Sequence, residues 1–266
     1  MTNDIIVVKS KSPLAFKHCF NILKEQITEF NLVFTEKGIS IQQTNVVKNI
    51  DIDIFLPANN FEEYTYNAQT SEVVIGINII SIFNIMKIVS IKDSGICLRI
   101  TEYELGISNT MCQDLFIEII SACHKQNSKT KCEKLDVNRI TFDHFDISDY
   151  KIIDIKSQDF QEIISKLKNL GNKSSKEQTV DIYYQNNTLS FIIDEQEYGY
   201  TEINKECNTC SDSKEMYLVS VKLYKLMDLM RCTSLTNYVL IYLSNDKPLI
   251  IKYAVGTLGD MFIKLN

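Results

Sequence analysis

Two stretches of the sequence, VVIGINIISIFNIMK at 73–87 and YLVSVKLYKLMDLMR at 217–231, align without a gap at an offset of 144 residues. The same offset relates Phe16 to Phe160 in a separate upstream segment. Because this period is far longer than the roughly 20–50 residues of a solenoid repeat, the sequence predicts a duplicated domain.

Each copy combines an amphipathic helix with strand-like segments. Apolar residues of both copies recur at the spacing of one helical face. They are Phe16, Cys19, Phe20, Leu23 and Ile27 in the first copy and Phe160, Ile163, Ile164 and Leu167 in the second. In NIDIDIFL (49–56), isoleucines alternate with acidic residues, which is typical of a half-buried strand. This order of strands and helices predicts an α+β fold with helices on one face of antiparallel sheets.

The polar stretch between the copies predicts the domain boundaries. We place the first domain at 1–123, a connecting linker at 124–148 and the second domain at 149–266. The linker begins with polar residues but also contains Ile140 and Phe142, which a pure spacer does not need.

Composition favours a globular intracellular protein. Hydrophobic residues make up 45% of the 266 residues, which is sufficient for packed cores. The N-terminal residues have no apolar run suited to a signal peptide. No stretch reaches the ~18 uninterrupted apolar residues of a membrane span. We therefore expect a soluble protein with its 8 cysteines reduced and no membrane partner.

The net charge of the chain and the distribution of its charges lead to different predictions about a nucleic-acid partner. A net charge of -6 argues against a nucleic-acid partner, but the four predicted helices together are net positive. Lys24 and Lys168 occupy equivalent positions in the two copies, as do Lys87 and Arg231. Such faces are often only solvated helix surfaces. If the helices share one side of the sheets, however, their cations suit phosphate contacts without base recognition.

The sequence shows no catalytic centre. Its 3 histidines, His18, His124 and His144, belong to no recognisable nucleophile, phosphate-loop or metal-binding motif. Cys207 and Cys210 have the spacing of half a zinc site or of a redox pair, but no second such pair exists. We expect a non-enzymatic protein with no cofactor and no metal.

Three segments resemble the DNA sliding clamps of the proliferating cell nuclear antigen (PCNA) family. They are SPLAFKHCFNILKEQI (12–27), IGINIISIFNIMK (75–87) and PLIIKYAVGTLGDM (248–261). The resemblance implies two clamp domains per chain and a closed ring, usually of three subunits, around double-stranded DNA. Such a homotrimer would bind DNA without sequence specificity. It would be opened by a clamp loader and would tether DNA polymerase and other replication and repair enzymes.

The resemblance also implies three sets of functional residues. The DNA-facing residues would be Lys17, His18, Lys24, Lys87, Lys166, Lys168, Lys222, Lys225 and Arg231. Partner peptides would dock between the linker and the C-terminal segment, at Thr44, Lys48, Ile140, Phe142 and Pro248. Subunits would meet through the strands at 114–122 and near 198–206, with Leu115, Ile117, Ile119, Tyr200 and Glu202 at the interface.

Two other assemblies are compatible with the same fold. The chain could be one subunit of a heterotrimeric checkpoint clamp, or a viral processivity factor that does not close a ring. Its abundance of Ile, Asn and Lys suggests an AT-rich coding genome, such as that of a virus or parasite. The resemblance implies a nuclear location, or the viral replication site if the protein is viral.

Overall fold

A computed structural model describes residues 3–105, 110–121, 128–132, 134–170, 178–194, 199–207, 215–230 and 234–266. The chain forms two compact units. Unit 1 comprises Met1–Gln43, Asp53–Phe142 and Val255–Asp260; unit 2 comprises Thr44–Ile52, Asp143–Ala254 and Met261–Asn266. Two short segments, Thr44–Ile52 and Val255–Asp260, therefore belong to a different unit from the one that the sequence-based boundaries predict. The units are defined by spatial contacts and not by chain order.

The first half of the chain contains two helices and nine strands among its described residues. In order they are β1 (Asn3–Ser10), α1 (Pro13–Gln26), β2 (Glu29–Thr35), β3 (Gly38–Asn45), β4 (Ile50–Pro57), β5 (Glu63–Tyr66), β6 (Val73–Asn78), α2 (Ile79–Met86), β7 (Asp93–Leu105), β8 (Thr110–Ser121) and β9 (Ser128–Cys132). A single 3-10 turn, Ala58–Asn60, follows β4.

The second half repeats this series with fewer strands in the part that the structure describes. The elements are β10 (Lys151–Lys156), α3 (Ser157–Leu170), β11 (Thr179–Gln185), β12 (Thr188–Asp194), β13 (Tyr200–Glu206), β14 (Tyr217–Lys222), α4 (Leu223–Leu229), β15 (Tyr238–Leu243), β16 (Leu249–Ala254) and β17 (Asp260–Leu265). None of the described helices is long and apolar enough to cross a bilayer.

Strand order confirms the duplication. The order β1-β7-β8-β9 in unit 1 corresponds to β10-β15-β16-β17 in unit 2, and β4-β3-β2-β6 corresponds to β13-β12-β11-β14. The first residues of α1 and α3, and those of α2 and α4, are separated by the predicted 144 residues. The pairings between these strands that are resolved in detail are antiparallel, so the predicted α+β class with duplicated domains is confirmed.

Each unit is held together by the apolar face of its helices. Phe16, Phe20 and Leu23 of α1 are at most 4% exposed, and α1 packs against α2 and β7. Phe160 and Leu167 of α3 are fully buried, and α3 packs against α4, β10 and β15. Burial of each such side chain contributes about 1.5–3 kcal/mol, which stabilises helices of modest intrinsic propensity.

The predicted edge strand at 114–122 is not an edge. β8 pairs with β9 from Leu115 opposite Cys132 to Ile119 opposite Ser128, so β9 is the outer strand of that sheet. Leu115, Ile117 and Ile119 are at most 4% exposed and form part of the core of unit 1. The alternation of β8 predicts one buried face, but it cannot show that the short polar segment SKTKC occupies its free edge.

Candidate nucleic-acid interface

Three of the predicted cations lie close together on α1 and α2. The ammonium of Lys24 lies 3.9 Å from the centroid of the Phe83 ring, and that of Lys87 lies 4.9 Å from it. Lys17 donates hydrogen bonds of 3.3 Å and 2.6 Å to the carbonyl oxygens of Lys87 and Val89. We call Lys17, Lys24, Lys87 and Phe83 the unit 1 basic cluster.

Helix packing produces this cluster. The Phe83 ring attracts the two ammonium groups through the negative face of its π system. Lys17 satisfies carbonyl oxygens at the carboxyl end of α2, where the helix dipole favours a cation. Lys24 also forms an ion pair of 3.4 Å with Glu25. The lysines are compact charges without the planar geometry of a bidentate donor, so the cluster suits transient phosphate contacts.

Exposed isoleucines accompany the unit 1 basic cluster, and the sequence analysis did not anticipate them. Ile80 of α2 is 49% exposed, and Ile88 and Ile91 in the following turn are 56% and 86% exposed. They fall outside the buried stripe of α2, which contains Ile79, Ile82 and Met86. A helical projection of 79–91 separates the two sets and could have revealed this mixed surface.

The predicted cations of unit 2 have more varied surroundings. Lys166 forms an ion pair of 2.7 Å with Glu162 one turn earlier in α3, and Lys168 is exposed near the end of the same helix. Lys222 donates a hydrogen bond of 3.3 Å to the hydroxyl of Thr179. Arg231 lies outside the described residues. In unit 1, His18 is half-buried on α1.

The assignment of Lys225 to DNA binding is wrong. Lys225 is only 6% exposed. Its ammonium donates to the carbonyl oxygen of Asn266 and, at 3.4 Å, to that of Asn49. Burial, together with the charge of Lys222, lowers the pKa of Lys225. This lysine therefore anchors backbone in unit 2, because its position on α4 places the side chain inwards.

A polar network surrounds Asp51 in unit 2. Its carboxylate accepts hydrogen bonds from the Thr44 hydroxyl at 2.8 Å, the Asn266 amide at 2.8 Å and the Lys264 ammonium at 3.2 Å. Burial disfavours the charged carboxyl, but these donors outweigh it and lower the pKa of Asp51. Thr44, a predicted partner-binding residue, is thus part of a structural network, and the alternation along β4 is the one feature of the sequence that relates to this network.

The other partner-binding residues predicted in unit 2 lie on turns. Lys48 pairs with Asp228 of α4 at 2.7 Å. Beside it, Val46 and Val47 are 81% and 94% exposed at the tip between β3 and β4. The carbonyl oxygen of Pro248 accepts a hydrogen bond of 3.1 Å from the Tyr150 hydroxyl.

The linker residues predicted to bind partners are held in place by their backbone in unit 1. Gly76 and Leu135 form a bridge, and a Cβ on Gly76 would overlap the carbonyl oxygen of Leu135. Asn31 donates to the carbonyl oxygen of Val137 at 3.1 Å. The carbonyl oxygen of Phe142 accepts from Gln42 at 2.9 Å. Phe142 and the nearby Ile140 are half-buried, so part of each side chain remains available to a ligand.

The structure describes only one member of the Cys207 and Cys210 pair. No group of three or more His, Cys, Asp or Glu side chains suited to a metal occurs among the described residues. Cys207 is buried, and burial raises the pKa of its thiol; Cys210 lies outside the described residues, as does His124.

Comparisons with known proteins agree with this architecture. Residues 7–115 match the family model for the proliferating cell nuclear antigen, N-terminal domain. The chain is 23% identical over 263 residues to a probable DNA polymerase sliding clamp 1 of Paramecium bursaria Chlorella virus 1, covering 97% of this chain and 95% of that protein.

Solved structures show the same fold. The proliferating cellular nuclear antigen of Entamoeba histolytica superposes with a TM-score of 0.80 at 17% identity, covering 99% of this chain and 98% of that one. A chain of the PCNA2-PCNA3 complex of Sulfolobus tokodaii gives 0.75 at 18% identity, with 97% and 98% covered.

The duplicated α+β domains have the fold of DNA sliding clamps. With relatives of that class matched along nearly its whole length, this chain is similar to the sliding clamps of the PCNA type.

Proposed function

We propose that this clamp acts without catalysis, as a ring of three copies that encloses duplex DNA and tethers DNA polymerase. The unit 1 basic cluster carries the proposal, because it concentrates positive charge on helices of a chain whose net charge is -6. Retention would come from enclosure, and the lysines would keep the duplex loosely positioned.

Direct attraction between helices and DNA is expected to be weak. The ammonium groups of Lys17 and Lys24 are already engaged with carbonyl oxygens and with Glu25. Salt also screens exposed charges over about 8 Å at physiological ionic strength. Affinity for a short linear duplex should therefore be low and should fall steeply with salt.

The linker is the proposed docking site for peptides of DNA polymerase and other clamp-binding enzymes. Its backbone is fixed at Gly76, Asn31 and Gln42, while Ile140 and Phe142 remain partly accessible. A fixed backbone lowers the entropy cost of binding. A clamp loader is the further partner that a closed ring requires.

A mixed ring is the second candidate. The structural neighbour from Sulfolobus tokodaii was crystallised as a complex of two different PCNA chains, so this fold also supports unlike neighbours. A processivity factor that does not close a ring is the third assembly compatible with the fold.

The decisive experiment compares closed and open DNA. The clamp is loaded onto nicked circular duplex by a PCNA-type clamp loader with ATP, washed in high salt and analysed by gel filtration before and after linearisation. We expect retention on circles and loss after cutting. Equal retention on cut DNA, or tight sequence-selective binding to a short duplex, would instead identify a conventional DNA-binding factor.

A further inference from the structure

The carboxyl end of α2 is completed by a side chain from another helix. The last carbonyl oxygens of a helix have no partner within it. The backbone N–H of Lys87 donates to the carbonyl oxygen of Phe83 at 2.9 Å, and that of Val89 donates to the carbonyl oxygen of Met86 at 3.1 Å. The carbonyl oxygens of Lys87 and Val89 accept instead from the ammonium of Lys17 on α1, at 3.3 Å and 2.6 Å. Lys17 therefore caps α2.

The ammonium of Lys17 is used mainly by this cap. An ammonium has three N–H donors, and the two carbonyl oxygens engage two of those of Lys17. Lys17 pairs with no carboxylate in the part of the chain that the structure describes. Its charge lies at the negative end of the α2 dipole, where a cation is favourable. A phosphate bound by Lys17 would compete with backbone carbonyl oxygens that need a donor.

The turn that follows α2 is also fixed from its other side. The carboxylate of Asp93 accepts hydrogen bonds from the backbone N–H of Ser90 at 2.6 Å and from its hydroxyl at 3.1 Å. The side chain of Val89 is only 1% exposed. Lys87 lies between α2 and this turn, so its backbone is held in one place when Lys17 is bound to it.

We propose that Lys17 is a positioning residue, which holds Lys87 for contact with DNA and does not bind a phosphate itself. The inference rests on the proposed DNA contact of the helices and divides the labour within the unit 1 basic cluster. Lys24 and Lys87 share the ring of Phe83 and are the contacting cations. A lysine whose backbone is already fixed loses less conformational freedom when it binds, so loss of the cap should weaken the contact made by Lys87.

A double-mutant cycle distinguishes positioning from direct contact. Fluorescence anisotropy with a short labelled duplex gives the slope of log affinity against log salt for Lys17→Met, for Lys87→Gln and for the chain with both changes. Each single variant should reduce the slope by up to about 1. The double variant should match Lys87→Gln alone, because Lys17 acts through Lys87. A reduction of about 2 in the double variant, as two independent phosphate contacts would give, overturns the proposal.

Hydrogen exchange at the end of α2 tests the cap without DNA. The amide of Val89 should exchange roughly fivefold faster in Lys17→Met, because one net hydrogen bond is lost from the turn. Lys24→Gln is the matched control, since it removes a charge from the same helix without touching the carbonyl oxygens of α2. Lys17→Arg keeps both the charge and the donors, and should retain the wild-type exchange rate and slope.

The remaining outcomes separate this inference from the proposed function. Circular dichroism verifies folding, and Lys17→Gln repeats the cycle with a more polar side chain if Lys17→Met does not fold. A wild-type slope or a wild-type Val89 exchange rate in the folded Lys17 variants overturns the positioning role. If Lys24→Gln with Lys87→Gln leaves the slope unaltered, the DNA interface itself is wrong, whereas Val89 exchange still reports whether Lys17 caps α2.

Discussion

Burial decides what individual charged residues do in this clamp. Lys222 and Lys225 lie three positions apart and are both cationic, yet Lys222 is exposed and Lys225 is 6% exposed. The ammonium of Lys225 satisfies two backbone carbonyl oxygens, which would otherwise be costly to bury. Asp51 is the acidic counterpart, with a side chain 14% exposed and three donors on its carboxylate.

The Asp51 network should stabilise the protein in a pH-dependent way. The folded protein lowers the pKa of Asp51, so the stabilisation is present above the unfolded pKa of about 4 and is lost as pH falls through the folded pKa. Asp51→Asn should lower the free energy of unfolding by about 1–3 kcal/mol at neutral pH, and by clearly less near pH 3. Urea titrations at both pH values measure this difference.

Asp154→Asn is the matched control, because Asp154 is an exposed residue of β10 in the same unit. It should change stability by less than about 0.5 kcal/mol at either pH. An effect of Asp51→Asn that is the same at both pH values would show that the network acts through shape and not through charge.

Helix packing brings together lysines that are distant in the sequence. Lys24 on α1 and Lys87 after α2 are 63 positions apart in sequence, yet both stand over the Phe83 ring. Phe83 thus has a second role besides packing, since it holds two like charges close together. The exposed isoleucines on and just after α2 leave the surface of this segment only partly polar.

Neutralising these two lysines should weaken DNA contact without unfolding the clamp. Lys24→Gln with Lys87→Gln is expected to reduce the slope of log affinity against log salt by up to about 2, one for each lost phosphate contact. Fluorescence anisotropy with a short labelled duplex at several salt concentrations measures the slope. The control variant Lys11→Gln with Lys37→Gln changes exposed turns of unit 1 and should leave the slope unchanged. An unaltered slope in the variant Lys24→Gln with Lys87→Gln would show that the unit 1 basic cluster is not part of the DNA interface.

At the scale of the whole molecule, a clamp must bind DNA and partner proteins through different surfaces, so that one ligand does not displace the other. DNA contact is proposed for the helices and partner docking for the linker. The linker pairs with β6 at Gly76, and Ile140 and Phe142 follow within the same unit. Changes in the linker should therefore affect partner binding alone.

Replacing Ile140 and Phe142 with Ser should weaken docking selectively. Loss of two apolar contacts is expected to reduce affinity for a polymerase-derived peptide by at least about tenfold, since one buried apolar side chain contributes about 1.5–3 kcal/mol. Isothermal titration calorimetry measures the affinity for the peptide, and light scattering verifies that the variant assembles like the wild type. Ile152→Ser, at a position 46% exposed in unit 2, is the control. Unchanged peptide affinity in the double variant would place the docking groove elsewhere.

Local patterns in the sequence determined the architecture. The apolar stripe of α1 and the alternation of β4 each depend on neighbours within a few turns or one strand, so periodicity alone predicts them. The 144-residue offset is visible when the sequence is aligned with itself. The grouping of lysines on helices likewise followed from sequence positions. These features were enough to predict a duplicated α+β domain, whereas the clamp family and the DNA-facing set with Lys17, Lys24 and Lys87 were implied by the resemblance of three segments.

Only the tertiary structure decided which strand is outermost and which cations are free to act. The polar segment at 128–132 has no pattern that assigns it to β8, and the role of Lys225 depends on carbonyl oxygens 176 and 41 positions away. The Asp51 network likewise joins residues 213 and 215 positions apart. Strand pairing and burial depend on segments that are distant in the sequence and come into contact only on folding. Local sequence patterns therefore do not predict them.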